Sequence, residues 1–122
     1  MLNMIGRTHR FHGYGSLRSV YQRGQTVRAP LVSLRYAMRD PQRPYRVAVV
    51  VSRKVSKSAV VRNRIRRRIY EVVRKSSAQI SPGTDLVFTV WSDELAGLEA
   101  PKLQSAITGL LEKAANLPAK RH

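Results

Sequence analysis

The run Arg62-Asn63-Arg64-Ile65-Arg66-Arg67-Arg68 puts five arginines into seven residues, and it also carries part of an apolar stripe. Val61, Ile65, Ile69, Val72 and Val73 recur at the 3.6-residue period within a segment running from Ala59 to about Lys75. This pattern leaves few options. The segment must be a helix, its stripe must bury against other apolar residues, and its arginines must stay outside. At about 100° per residue, the side opposite the stripe is formed by Asn63, Arg67, Tyr70 and Arg74, with Arg64 and Arg66 on its flanks.

Guanidinium groups this close repel one another, and a polyphosphate relieves the repulsion while accepting bidentate hydrogen bonds. A merely solvated helix face would mix signs and form i,i+4 pairs. Here Glu71 is the only acid between Pro41 and Gly83. A localisation-type basic run seldom carries an embedded apolar stripe. The whole chain points the same way, with 23 Lys plus Arg against 7 Asp plus Glu and a formal charge of +16. Such a charge disfavours compaction unless a polyanion is the partner. The charge is also lopsided. Residues 1–84 hold all but four of the basic side chains against only Asp40 and Glu71, whereas 85–122 are close to neutral. The first two thirds are therefore expected to supply the ligand surface and the last third to complete the core.

A membrane surface is a less suitable polyanion, since no apolar run is long enough to span one. Met1–Gly15 has no continuous stretch of signal-peptide type. The absence of cysteine fits a reducing compartment, and the chain is expected in the cytoplasm. With 122 residues, 43% of them hydrophobic, one domain is expected.

Ser16 is a suitable N-cap and Gly24 a suitable stop for a short first helix, with Leu17, Val20 and Tyr21 on one face. Val27–Met38 reads as one strand. The turn residues Asp40–Pro44 lead into a second strand, Arg46–Ser52, apolar enough for the centre of a sheet and expected to pair antiparallel with the first. After the arginine helix and the break Ser81-Pro82-Gly83, a strand is expected at Asp85–Trp91. Pro101–Ala115 is a closing amphipathic helix, with Leu103, Ile107, Leu110 and Leu111 inward. The expected fold is a single-domain α+β sandwich in the order helix, strand, strand, helix, strand, helix. It comprises a flexible basic arm over 1–14, the folded domain over 15–115 and a disordered tail over 116–122.

Ser52-Arg53-Lys54-Val55-Ser56-Lys57-Ser58 leads into the arginine helix, and its cations, hydroxyls and the helix-start N–H groups suit phosphates. The whole run Val50–Arg68, a strand end, a Ser-Arg-Lys-Val-Ser-Lys loop, Ala-Val and then Arg-Asn-Arg with further arginines, resembles the bacterial ribonuclease P protein family. The resemblance extends over roughly residues 7–113.

It implies a small sheet with a left-handed strand–helix–strand crossover, a hand that sequence pattern does not reveal and the general rule would reverse. It also implies a subunit that pairs with the catalytic RNA of ribonuclease P and promotes removal of the 5′ leader from precursor tRNA. By the same analogy Arg53, Lys54, Lys57, Arg62, Asn63, Arg64, Arg66, Arg67 and Arg68 contact the RNA subunit. The single-stranded leader would lie in a cleft at Leu17, Tyr21 and Arg35. Relatives offer two aromatics on the first helix for base stacking. Leu17 departs from that pattern, and Tyr21 serves either stacking or core packing beside Val20. Arg35, where some relatives have tyrosine, favours phosphate contact.

The residues themselves suggest no autonomous catalyst. The seven acids are dispersed, with Asp93-Glu94 the sole adjacent pair, and no nucleophile set or phosphate loop occurs. His9 and His12 lack a third ligand and read as surface histidines. Mg2+ is expected to be held mainly by the RNA subunit, with no metal site, membrane contact or protein partner on this chain. The rival readings are a ribosomal or rRNA-assembly protein and a DNA-compacting protein.

Overall fold

The computed structural model describes His9 and residues 14–116. Three helices, α1 (Tyr14–Arg23), α2 (Ala59–Lys75) and α3 (Ala100–Asn116), pack on a sheet of β1 (Gln25–Arg28), β2 (Val32–Met38), β3 (Arg46–Val50) and β4 (Thr84–Val90). The strand order is β1-β2-β4-β3. β1 with β2 and β2 with β4 run antiparallel, and β3 runs parallel to β4. The α+β sandwich is as expected. The unit β3–α2–β4 joins two parallel neighbours through a helix, which is the crossover to which the resemblance assigns a left hand.

Side chains alternate across the sheet, so the register sorts them into two layers. Val27, Val32, Leu34, Tyr36, Val47, Val49, Leu86, Phe88 and Val90 form one face, and α2 and α3 close over it with Ile65, Ile69, Val73, Leu103, Ile107, Leu110 and Leu111. Fully burying an aliphatic side chain such as Ile65 or Ile69 contributes about 1.5–3 kcal/mol. The opposite face carries Thr26, Arg28, Ser33, Arg35, Asp85, Val87, Thr89, Arg46, Ala48 and Val50 by alternation. There α1 packs over β2 and β4, and Val20 and Val87 are fully buried.

Four expectations need correction. Val27–Met38 is not one strand. Pro30 has no N–H to extend a ladder, and Ala29-Pro30-Leu31-Val32 turns the chain with Ala29 N donating to Val32 O at 3.0 Å. The second correction concerns pairing. β2 and β3 are not neighbours, because β4 inserts between them. β3 is accordingly an edge strand, and its Val-rich run hides an alternation in which Val47 and Val49 face the core while Ala48 and Val50 stay half-buried on the other face. The interior strands are β2 and β4, and β4 has buried residues on both faces. Lastly, α1 begins at Tyr14, so Ser16 lies inside it, and α3 runs through Asn116. Most of the expected arm, and the tail from 117 onward, lie outside the described residues.

Gly83 enters β4 at φ 80°, and a Cβ there would stand 2.0 Å from the Asp40 carbonyl oxygen. Only glycine allows this approach, which lets Arg39 N donate to Gly83 O at 2.9 Å and fixes the start of β4 beside the end of β2.

Candidate RNA-binding surface

The N-terminus of α2 is set by Ser58, whose Oγ accepts from Val61 N at 3.2 Å. From there Ile65, Ile69 and Val73 are fully buried, with Val61 and Val72 half-buried on one flank and Arg62, Arg66 and Tyr70 on the other. Relative to the sequence reading, the helix is turned by roughly 45° about its axis, at 100° per residue. Tyr70 moves to the boundary, and its hydroxyl accepts from Val49 N at 3.3 Å on the free edge of β3. Val60, Asn63, Arg64, Arg67 and Arg74 are left on the outer side.

The basic side chains divide by what they touch. Arg62 Nη1 donates to Ser56 O at 2.8 Å, tying the preceding loop to the helix. Arg66 donates to Asn63 Oδ1 at 2.7 Å and reaches Val51 O at 3.5 Å. Arg68 turns the other way. Its Nη1 donates to Leu95 O at 2.6 Å and its Nη2 to Leu98 O, carbonyls within and just after a short 3-10 helix at Asp93–Ala96. Arg68 stands three residues after Ile65 and four before Val72, on the border of the stripe. That spacing was the available signal for its inward direction. Arg74 and Lys75 hold Glu71 at 2.6 and 3.8 Å. The Arg74 hydrogen bond, with its charge and that of Lys75, keeps the Glu71 carboxyl below its ordinary range, and Glu71 in turn raises Arg74. The one acid of α2 is thus engaged at the C-terminal end, leaving the N-terminal turns uncompensated.

Ser52–Ser58 folds back on itself, with Val55 N and Ser56 N donating to Ser52 O at 3.1 and 3.4 Å and Ser58 N to Ser56 Oγ at 3.2 Å. Val55 packs toward the core while Arg53, Lys54 and Lys57 point to solvent. These three, with Arg64 and Arg67, make no ion pair or side-chain hydrogen bond among the described residues. Five unengaged cations therefore share one contiguous stretch of loop and helix.

The second expected site lies on the other face of the sheet. Leu17 is half-buried and Val20 is fully buried, whereas Tyr21 is 43% exposed, so its ring is available for stacking instead of completing the core. Arg35 sits on the layer facing α1, as expected, but its guanidinium is occupied. It donates to Val20 O at 3.2 Å, Tyr21 O at 2.5 Å and Thr26 Oγ1 at 2.8 Å, capping the C-terminal carbonyls of α1. Sequence reasoning also missed Asp85, which is 1% exposed and bridges Arg46 through two bonds of 2.9 and 2.8 Å and Arg39 at 3.3 Å. Buried in the sheet, it neutralises two arginines that composition had counted toward the ligand. His9 stacks on Tyr45 with ring centroids 3.9 Å apart. Among the described residues no three His, Asp or Glu side chains gather as metal ligands, and no helix is long and apolar enough to cross a membrane.

An α+β domain presenting an arginine helix, a basic loop ahead of it and an exposed aromatic on the opposite layer belongs to the class of RNA-binding proteins. The sequence model described as Ribonuclease P matches residues 5–115. The ribonuclease P protein component of Chloroflexus aurantiacus is 39% identical over 113 residues, covering 93% of this chain and 82% of that protein. That of Roseiflexus castenholzii is 37% identical over 108 residues, covering 88% and 87%. In fold, the chain resembles the RNase P protein of Staphylococcus aureus with a TM-score of 0.77 over 88% of this chain and 96% of the other, at 19% identity. The chain belongs to the ribonuclease P protein family, which sets aside the ribosomal and DNA-compacting readings.

Proposed function

We propose that the chain is the protein subunit of ribonuclease P, that it binds the catalytic RNA through α2 and the Ser52–Ser58 loop, and that it holds the 5′ leader of precursor tRNA on the sheet face beside α1. The observation that carries this reading is the contiguous set Arg53, Lys54, Lys57, Arg64 and Arg67, five cations with no internal partner in a chain of the family. Arg62 and Arg66 hold loop and helix in one rigid unit, so the five reach phosphates without first being ordered. Tyr21 offers a ring to an unstacked leader base, and Arg35 holds the end of α1 that carries it.

Hydrolysis belongs to the RNA in this reading, together with the Mg2+ it needs. Asp85, held by two arginines, and Glu71, held by Arg74 and Lys75, are already engaged and do not suit that metal. The protein would instead offset the repulsion between RNA subunit and substrate, an effect largest where divalent ions are scarce.

The test is cleavage of a precursor tRNA by a bacterial ribonuclease P RNA at low Mg2+, with and without the protein. Strong stimulation that fades when the leader is trimmed is expected. RNA binding without stimulation, across several RNA subunits, would overturn the proposal.

A further inference from the structure

Trp91 is the only tryptophan in the chain and is 59% exposed although it directly follows the interior strand β4. Its indole is not loose. Nε1 donates to Ser33 Oγ at 3.2 Å, and its backbone N donates to Leu31 O at 2.8 Å. The polar edge of the ring is thereby satisfied by the sheet, while the side chain as a whole stays more than half exposed. Single exposed apolar residues are common and need no explanation. This one is different in being tethered, large and flat, and in the company it keeps.

Ser33 and Arg35 alternate onto the same side of β2, the side on which α1 lies, so Trp91 and Tyr21 both stand on that layer. Arg28, an exposed cation without an ion pair, is directly opposite Ser33 in the register. β3 and β4 end together, Val50 facing Thr89, so the Arg53–Lys54 loop leaves the sheet at the end where Trp91 stands. Among the described residues of α1 and the strands, the only acid on this layer is Asp85, held by Arg39 and Arg46. Asp93 and Glu94, close in sequence, start the 3-10 helix that packs against α2 on the opposite layer. A preset aromatic plane flanked by unpaired cations suits a single nucleic-acid strand, whose phosphates and bases need those two things in alternation.

We propose that Trp91 is a base-stacking platform for the single-stranded 5′ leader of the substrate, a second ring on the layer that already offers Tyr21. This rests on the leader-binding reading above. Stacking on Trp91 extends the leader track from α1 to the C-terminal end of β4, and it supplies the aromatic that Leu17 does not.

The experiment uses holoenzyme reconstituted with a bacterial ribonuclease P RNA and either wild-type protein, W91F or W91A. Two substrates are compared, a precursor tRNA with a leader of about eight nucleotides and the leaderless tRNA. W91A is expected to weaken binding of the leader-bearing substrate about tenfold, to leave leaderless tRNA unchanged, and to be largely rescued in W91F. The indole emission of wild-type holoenzyme should be quenched by the leader-bearing substrate alone. Equal binding by W91A and wild type, while wild type still prefers the leader, overturns the role of Trp91 and leaves the subunit reading intact. Equal losses on both substrates also overturn it, by making Trp91 a structural residue. A wild-type holoenzyme indifferent to the leader overturns the leader-binding reading itself.

Discussion

At Asp85 a carboxylate is taken out of water in the middle of a sheet, and the penalty is offset by two arginines. Arg46 meets it with a two-pronged contact and Arg39 with a single bond, the latter also donating to Pro44 O at 3.0 Å. The three residues come from β4, β3 and the end of β2, so the cluster locks the strand order at the end where the parallel pair begins. Removing the acid leaves two half-buried guanidinium groups without their carboxylate, which is costlier than losing the pair as a whole. Asp85→Ala should therefore reduce unfolding stability by about 3 kcal/mol in urea titration. If the variant unfolds at the wild-type midpoint, the cluster has no role in holding the strands. Counting charges along the chain could not reveal this trio, because its members are far apart in sequence and meet only through the topology.

At the level of elements, what the sequence revealed depended on local pattern. The extent of α2 was readable from its apolar stripe, and α3 was readable from Leu103, Ile107, Leu110 and Leu111. The hairpin at Pro30 carried a local signal too, and proline was the residue to heed. Strand order carried none. Whether β3 pairs with β2 or with β4 is decided by α2, which brings β4 back between them, and no periodicity in Arg46–Val50 encodes that. The same limit applied to the site. The outward residues of α2 followed from its period, while Arg35, Arg68 and Trp91 depend on partners in distant elements. The C-terminal turns of α2 add a pH effect. Glu71 is held below its ordinary 4.5 mainly by the Arg74 hydrogen bond, so its contribution is complete above pH 4.5 and is lost as the pH falls through the lowered folded value. Glu71→Gln should cost little at neutral pH, because Arg74 and Lys75 are exposed and solvent screens the pairing, and wild type and variant should converge in acid. A gap that persists at low pH in thermal unfolding would mean that Glu71 acts through packing.

For the whole molecule, the net charge overstates what an RNA partner meets. Arg39 and Arg46 are committed to Asp85, Arg74 and Lys75 to Glu71, Arg68 to two carbonyls, and Arg35 to the end of α1. The cations that remain unengaged on α2 and its leading loop are Arg53, Lys54, Lys57, Arg64 and Arg67, and these should release counterions when RNA binds. Affinity for a polyanion falls with salt in proportion to the phosphates neutralised, so the slope of log affinity against log salt counts the arginines at work. Neutralising Arg64 and Arg67 together should flatten that slope for the RNA subunit by about 1.5 to 2, with thermal stability unchanged because both are exposed. Arg68→Gln should do the reverse. It strands the carbonyls of Leu95 and Leu98, lowering stability by about 1.5–3 kcal/mol, and leaves the salt slope where it was. The first variant removes two charges from the helix and Arg68→Gln removes one, so total charge predicts a slope change for Arg68→Gln about half as large, whereas geometry predicts none. A slope that flattens in Arg68→Gln by about half as much as in the double variant would return Arg68 to the RNA-contacting set and show that its bonds to Leu95 and Leu98 give way on binding.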